Sequence, residues 1–111
     1  MRNMSFSLTE RQVRDGTKTV TRRLGWWFIK PGDEVMACIR CLGLRKGEHI
    51  EKIRPIRILS TTNCELWRIT LEDCAREGFP ELAPEQFTQM FCHEMNCRPD
   101  SWVNRIEFEY I

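Results

Sequence analysis

Apolar residues alternate with polar ones over 53–59 and again over 102–110, the period of a strand with one face in a core. The mostly apolar run 34–40 reads as a more deeply buried strand, and a shorter alternating run over 4–8 is enough to open another. In the last segment Trp102, Ile106, Phe108 and Tyr110 share a face that Asn104 interrupts. The helical period shows later in the chain, where Phe87, Met90, Phe91 and Met95 form an i, i+3, i+4 stripe behind Pro84, a residue suited to a first helical turn. Such a Met and Phe stripe is core packing before it is anything else.

The punctuation between these runs places two further helices. Thr9 offers an N-cap oxygen for a helix over 10–15 that Gly16 can end. Thr70-x-x-Asp73 is close to a capping box and opens a helix over 71–77, with Gly78 as its left-handed terminator. Lys30-Pro31-Gly32-Asp33 is a turn, 44–52 is a polar loop, Pro55 marks an edge or a bulge, and Arg98-Pro99-Asp100 breaks the chain before the closing strand. The expected fold class is α+β: one domain over 1–111, a small barrel of mostly antiparallel strands with two or three short helices.

Composition narrows the function. The chain has 111 residues, 17 Lys and Arg against 16 Asp and Glu, and a net charge of +1, which argues against capture of duplex nucleic acid by bulk charge. No apolar run is long enough to cross a membrane, and the N-terminus lacks the apolar stretch of a signal peptide, which makes the cytoplasm the expected compartment. The chain carries 6 cysteines. Cys38-x2-Cys41 with Cys92-His93-x3-Cys97 has the spacing of a split zinc site, but a half-motif is weakly specific, and structural thiols are the preferred reading. No cofactor is expected.

The chemistry concentrates in Gly16-Thr17-Lys18-Thr19-Val20-Thr21-Arg22-Arg23, with three cations, three hydroxyls and no carboxylate. Trp26, Trp27 and Phe28 follow; Trp26 reads either as a core anchor or as a face on which a base stacks. Arg54 and Arg57 extend the cationic surface or are simply solvated strand residues. Periodicity sets a condition on this stretch. Lys18 and Thr21 are an odd number of positions apart, so a regular strand sends them to opposite faces, and they meet only where the backbone turns near Lys18 and Thr19.

The pattern Gly16-x-Lys18-x-x-Thr21-x-Arg23 resembles the signature of the ASCH domain, a branch of the PUA-like fold. The order around it agrees: a short helix before, the Pro-Gly-Asp turn and strand after, a late helical pair, and a closing strand written Arg105-Ile106-Glu107-Phe108. The likeness runs from about Phe6 to Tyr110, and in its loop and late helix the chain is similar to the small stand-alone ASCH proteins. Many ASCH domains carry Glu where this chain has Thr21; threonine there is similar to the amidohydrolases that deacetylate 4-acetylcytidine. That resemblance implies a base at Lys18, a nucleophile at Thr21 and a supporting carboxylate at Glu77.

Three readings follow. The first is a cleft that binds RNA or a modified nucleoside or nucleotide through Gly16, Thr19, Arg22, Arg23 and Trp26. The second is amide hydrolysis by Lys18, Thr21 and Glu77, which needs a lysine pKa well below the free value of about 10.4. The third is a protein-interaction module in which the motif only anchors the backbone. The sequence leaves the oligomeric state open.

Overall fold

The computed structural model describes residues 1–40 and 46–111. Cys41 and the start of the 44–52 loop lie outside the described residues. Strand β1 (Arg2–Ser5) is followed by a 3-10 turn (Ser7–Thr9) and helix α1 (Glu10–Arg14). Strands β2 (Val20–Arg23), β3 (Glu34–Ile39) and β4 (Glu51–Glu65) come next. A second 3-10 turn (Leu66–Arg68), helices α2 (Leu71–Arg76) and α3 (Pro84–Met95), and strand β5 (Trp102–Tyr110) complete the chain.

The five strands form one sheet in the order β1-β3-β4-β5-β2. Only β1 and β3 run parallel; the other three pairs are antiparallel, as the alternating patterns lead one to expect. The order leaves β1 and β2 as the two edges. They approach one another across the sheet's open seam: the Arg23 guanidinium on β2 lies 4.6 Å from the Phe6 ring just past β1.

Three local expectations need correction. The alternation over 4–8 does not continue a strand, because the chain turns into a 3-10 segment at Ser7. Thr9 precedes α1 but makes no capping hydrogen bond with its side chain, whereas Thr70 does accept the Asp73 N–H. β4 is 15 residues long, far beyond the apolar run at 53–59, because its polar second half pairs with β5 as far as Glu65↔Trp102. Register shifts at Ala37/Cys38 and at Ile58/Ser60 bend the sheet, and Pro55 sits close to the first of them.

Burial divides between two apolar clusters. Met4, Phe6, Val13, Ile29, Val35, Ala37, Ile56, Ile58, Ile106 and Phe108 form the first. Leu66, Ile69, Cys74, Phe87, Phe91 and Val103 pack the late helices onto the far end of the sheet. The region between the two clusters is where the cationic stretch runs. Among the described residues no helix is long and apolar enough to cross a membrane.

Candidate functional site

The stretch is held by its main chain before its side chains do anything. Gly16 ends α1 with φ 81, a conformation that costs glycine little. Beyond it the Lys18 N–H donates to the Gln12 carbonyl at 3.2 Å, and the Lys18 carbonyl accepts the Tyr110 hydroxyl at 2.5 Å. The Thr19 N–H turns to the Arg76 carbonyl at 2.8 Å, while the Thr19 carbonyl accepts the Phe108 N–H at 3.0 Å. Regular pairing with β5 starts only at Val20. Lys18 therefore stands outside the strand, and the alternation rule that would send it away from Thr21 does not apply to it.

Helix α2 meets this segment through a close approach. Gly78, with φ 103, lies so near Gln12 that an added β-carbon would stand 2.7 Å from its Cγ. The Gln12 amide donates to the Gly78 carbonyl at 3.1 Å. That contact sets Glu77, the C-cap of α2, directly over the cations. Lys18 Nζ donates to Glu77 Oε1 at 2.9 Å and to the Glu77 carbonyl at 2.7 Å. Arg22 Nη1 donates to Glu77 Oε2 at 3.1 Å. All three side chains are buried.

The network continues beyond the residues that sequence pointed to. Arg22 Nη2 donates to Asp73 Oδ2 at 2.7 Å, and Arg105 grips both Asp73 oxygens at 2.6 and 3.0 Å. Arg76 links Thr19 Oγ1 at 3.2 Å to Glu107 at 2.7 Å. Burial works against the Asp73 charge, but the hydrogen bonds from Arg105 and Arg22 win and hold its carboxyl at about 2. For Lys18 the balance is reversed: burial drives its pKa down against the pull of Glu77, with Arg23 and Arg22 adding repulsion.

Lys18, Thr21, Arg22, Arg23 and Glu77 all line one cavity of about 370 Å³ at the open seam of the sheet. The opposite walls are mainly apolar, with Phe6 and Leu8 after β1, Trp26, Phe79 after α2, and Phe87, Phe91 and Met95 on α3, where Glu94 adds a carboxylate. Arg23 differs from its neighbours. Its Nε donates to Thr21 Oγ1 at 3.1 Å and its plane covers Phe6, yet among the described residues no carboxylate pairs with it. Burial lowers its pKa to about 10, so it stays charged at neutral pH.

The cavity therefore gathers Lys18, Thr21, Glu77, Arg22, Arg23 and Trp26, whereas Gly16 and Thr19 do not line it. Gly16 shapes the turn and Thr19 anchors Arg76. Trp26 serves both of its expected roles in part: it packs against the first cluster and also faces the cavity. Arg57 is paired with Glu34 and Glu109, and Arg54 lies over Tyr110, so neither extends a free cationic surface. Asp73, Arg76, Arg105 and Tyr110 were missed. Thr70-x-x-Asp73 accounted for Asp73 as a cap, and the other partners lie too far along the chain for any local pattern to reveal.

The cysteines separate. Cys38 is buried in β3, Cys92 and Cys97 pack against the second cluster, and Cys41 lies outside the described residues. Among the described residues no group of three His, Cys, Asp or Glu side chains gathers as a metal site requires.

Neither a family model nor a curated protein matches this sequence. Solved structures do. A crystal structure of the ASCH domain from Lactobacillus crispatus JV V101 superposes with a TM-score of 0.69 at 15% identity, over 98% of this chain and 79% of that one. The fold is that of an ASCH domain. Protein EF3133 from Enterococcus faecalis V583, described by the family model DUF984, matches with a TM-score of 0.64 at 15% identity over 95% of this chain and 68% of that chain. The hypothetical protein PH0355 matches over the full length of both chains, at 19% identity and a TM-score of 0.64. The ASCH fold thus agrees with the order of motifs around Lys18 and Thr21.

Proposed function

We propose that this ASCH-fold chain binds a single nucleoside-sized unit, free or presented as an unstacked base of RNA, in the cleft between β2 and α3. The observation that carries the reading is the cavity's division into an apolar, aromatic side and a polar floor whose Arg23 has no described carboxylate partner. Its volume of about 370 Å³ falls within the ~300–1,000 Å³ usual for small-molecule sites. An aromatic wall suits the face of a base, and a half-buried guanidinium suits a carbonyl or phosphate oxygen. Duplex binding is disfavoured by the net charge of +1.

Titration with cytidine, cytidine monophosphate and a short single-stranded RNA, followed by tryptophan fluorescence and calorimetry, tests this. Saturable binding by at least one of them, weakened about tenfold or more by Arg23→Ala, is expected. Absence of binding by all three, or affinity unchanged in Arg23→Ala, overturns the reading.

A second reading, hydrolysis of an N-acetylated nucleoside such as 4-acetylcytidine, is favoured by the presence of Lys18, Thr21 and Glu77 in the same cavity. Thr21 Oγ1 already accepts the Arg23 N–H, which leaves its own proton free to be given to a base. Burial lowers the Lys18 pKa in the direction a base requires. Lys18 would take the threonine proton as the hydroxyl oxygen attacks the acetyl carbon, Glu77 would hold the resulting ammonium, and Arg23 would face the developing oxyanion. Release of cytidine by the wild type and its loss in Thr21→Ala are the expected results; no turnover by the wild type eliminates this chemistry and leaves the binding reading standing.

A further inference from the structure

The end of α3 carries a second pair of reactive groups. Cys92 and Cys97 are both half-buried free cysteines, and both pack against the second apolar cluster. Asn96 ends the helix with φ 52 and ψ 56, a left-handed turn that folds the chain back on itself. The Cys97 N–H then donates to the Cys92 carbonyl at 3.2 Å. This is the six-to-one bond of a Schellman cap, and in that cap the two bonded residues bring their side chains into contact. An apolar pair commonly fills the position; here two thiols do. Burial first, and the Cys97 thiol beside it second, push the Cys92 pKa up.

A six-to-one turn brings its two ends close to the Cα separation that disulfides span, about 4.4–6.8 Å. Cys74 on α2 opens a similar turn, its carbonyl accepting the Phe79 N–H at 2.9 Å beside left-handed Gly78, but the residue that closes it is Phe79 and not a second thiol; Cys64 lies within β4. We propose that Cys92 and Cys97 are a site of reversible disulfide formation, oxidised by low-molecular-weight disulfides of the glutathione type, that fixes the last turn of α3 whatever the cleft binds. One thiol, as thiolate, attacks a sulphur of the small disulfide and releases the first small thiol. The second protein thiolate then attacks the mixed disulfide and releases the other. One protein S–S bond forms, one small S–S bond breaks, and the two thiol protons end on the two small thiols. Glu94 and Met95 lie inside the bridged segment and line the cavity, so the bridge also fixes one side of its mouth.

The experiment is exposure of the folded chain to oxidised glutathione, alkylation, trypsin digestion and mass spectrometry. Trypsin does not cleave before Pro99, so the peptide 77–105 contains Cys92 and Cys97 and no other cysteine. The expected product is that peptide lighter by two hydrogens, restored by dithiothreitol, from a chain that has not been linked to a second copy. A peptide that is unchanged, or that retains glutathione, overturns the proposal. In Cys97→Ser the bridge should be replaced by one glutathione on Cys92; a bridge that persists there rules out the assignment. Amide exchange over 94–97 should slow on oxidation, and unaltered exchange would refute the link to α3.

Discussion

Lys18 donates to Glu77 twice, once to a carboxylate oxygen at 2.9 Å and once to the main-chain carbonyl of the same residue at 2.7 Å. The second bond ties the lysine to the end of α2 as well as to its charge, and Arg22 occupies the remaining Glu77 oxygen. Glu77 thus neutralises two buried cations, whereas each cation is one of two.

Removing Glu77 is therefore worse than removing Lys18. Glu77→Gln leaves buried Lys18 without its carboxylate and Arg22 with Asp73 alone, and should cost about 3–5 kcal/mol in urea denaturation, the range for breaking a buried pair. Lys18→Met leaves Glu77 bound to Arg22 and should cost less. Equal losses in the two variants would contradict this division of roles.

Asp73 sets the acid limit of the network. Its folded pKa of about 2 is below the free value near 3.9, so its contribution is fully present above about pH 4 and fades as pH falls through 2. The stability difference between wild type and Asp73→Asn should shrink across that window. A difference that stays constant from neutral pH to pH 2 would mean that the charge of Asp73 contributes nothing.

Tyr110 is the sole tyrosine of the chain, so its titration can be followed without interference. Burial pushes its pKa up to about 12, against the opposing pull of Arg54. The phenolate absorbance should appear about two pH units later than for a free tyrosine, near 10. Because the folded value is the higher one, the stabilisation holds below about pH 10 and is lost between 10 and 12. Tyr110→Phe abolishes that alkaline loss along with the bond to the Lys18 carbonyl.

Gly78→Ala should destabilise by about 1–3 kcal/mol through overpacking alone, since its β-carbon falls 2.7 Å from Gln12. Gly25→Ala is the control: its φ of 140 is equally foreign to alanine, but nothing lies within 4 Å of the added carbon. The clash predicts a larger loss at Gly78 by thermal or chemical denaturation.

The fold was largely legible because burial imposes period. The strands at 34–40, 53–59 and 102–110, the Pro-Gly-Asp turn and the α3 stripe all declare which face is apolar. What escaped was pairing that needs no apolar residue: Ser60, Thr61 and Thr62 carry no apolar alternation, yet they belong to β4 because β5 supplies partners for their main chain. The site was half legible. Lys18, Thr21 and Arg23 stand close together in sequence, and Glu77 entered through resemblance alone. The Arg22–Asp73–Arg105 triad joins three distant segments, and no spacing rule identifies which carboxylate will meet which arginine. The turn at Lys18 was legible only as a condition, since the bonds from Gln12, Arg76 and Tyr110 that impose it come from elsewhere in the fold.

The long run of β4 alongside β5 has a further consequence. Ile56 and Ile58 belong to the first apolar cluster, and Cys64 reaches the second; across the ladder Phe108 and Ile106 serve the first and Val103 the second. Neither cluster can lose its packing without loosening a strand pair that the other also uses. Among the described residues the two clusters share these strands, so one is not expected to open while the other stays closed. Denaturant should find a single cooperative transition, and damage at either end should be felt as a lower midpoint for the whole.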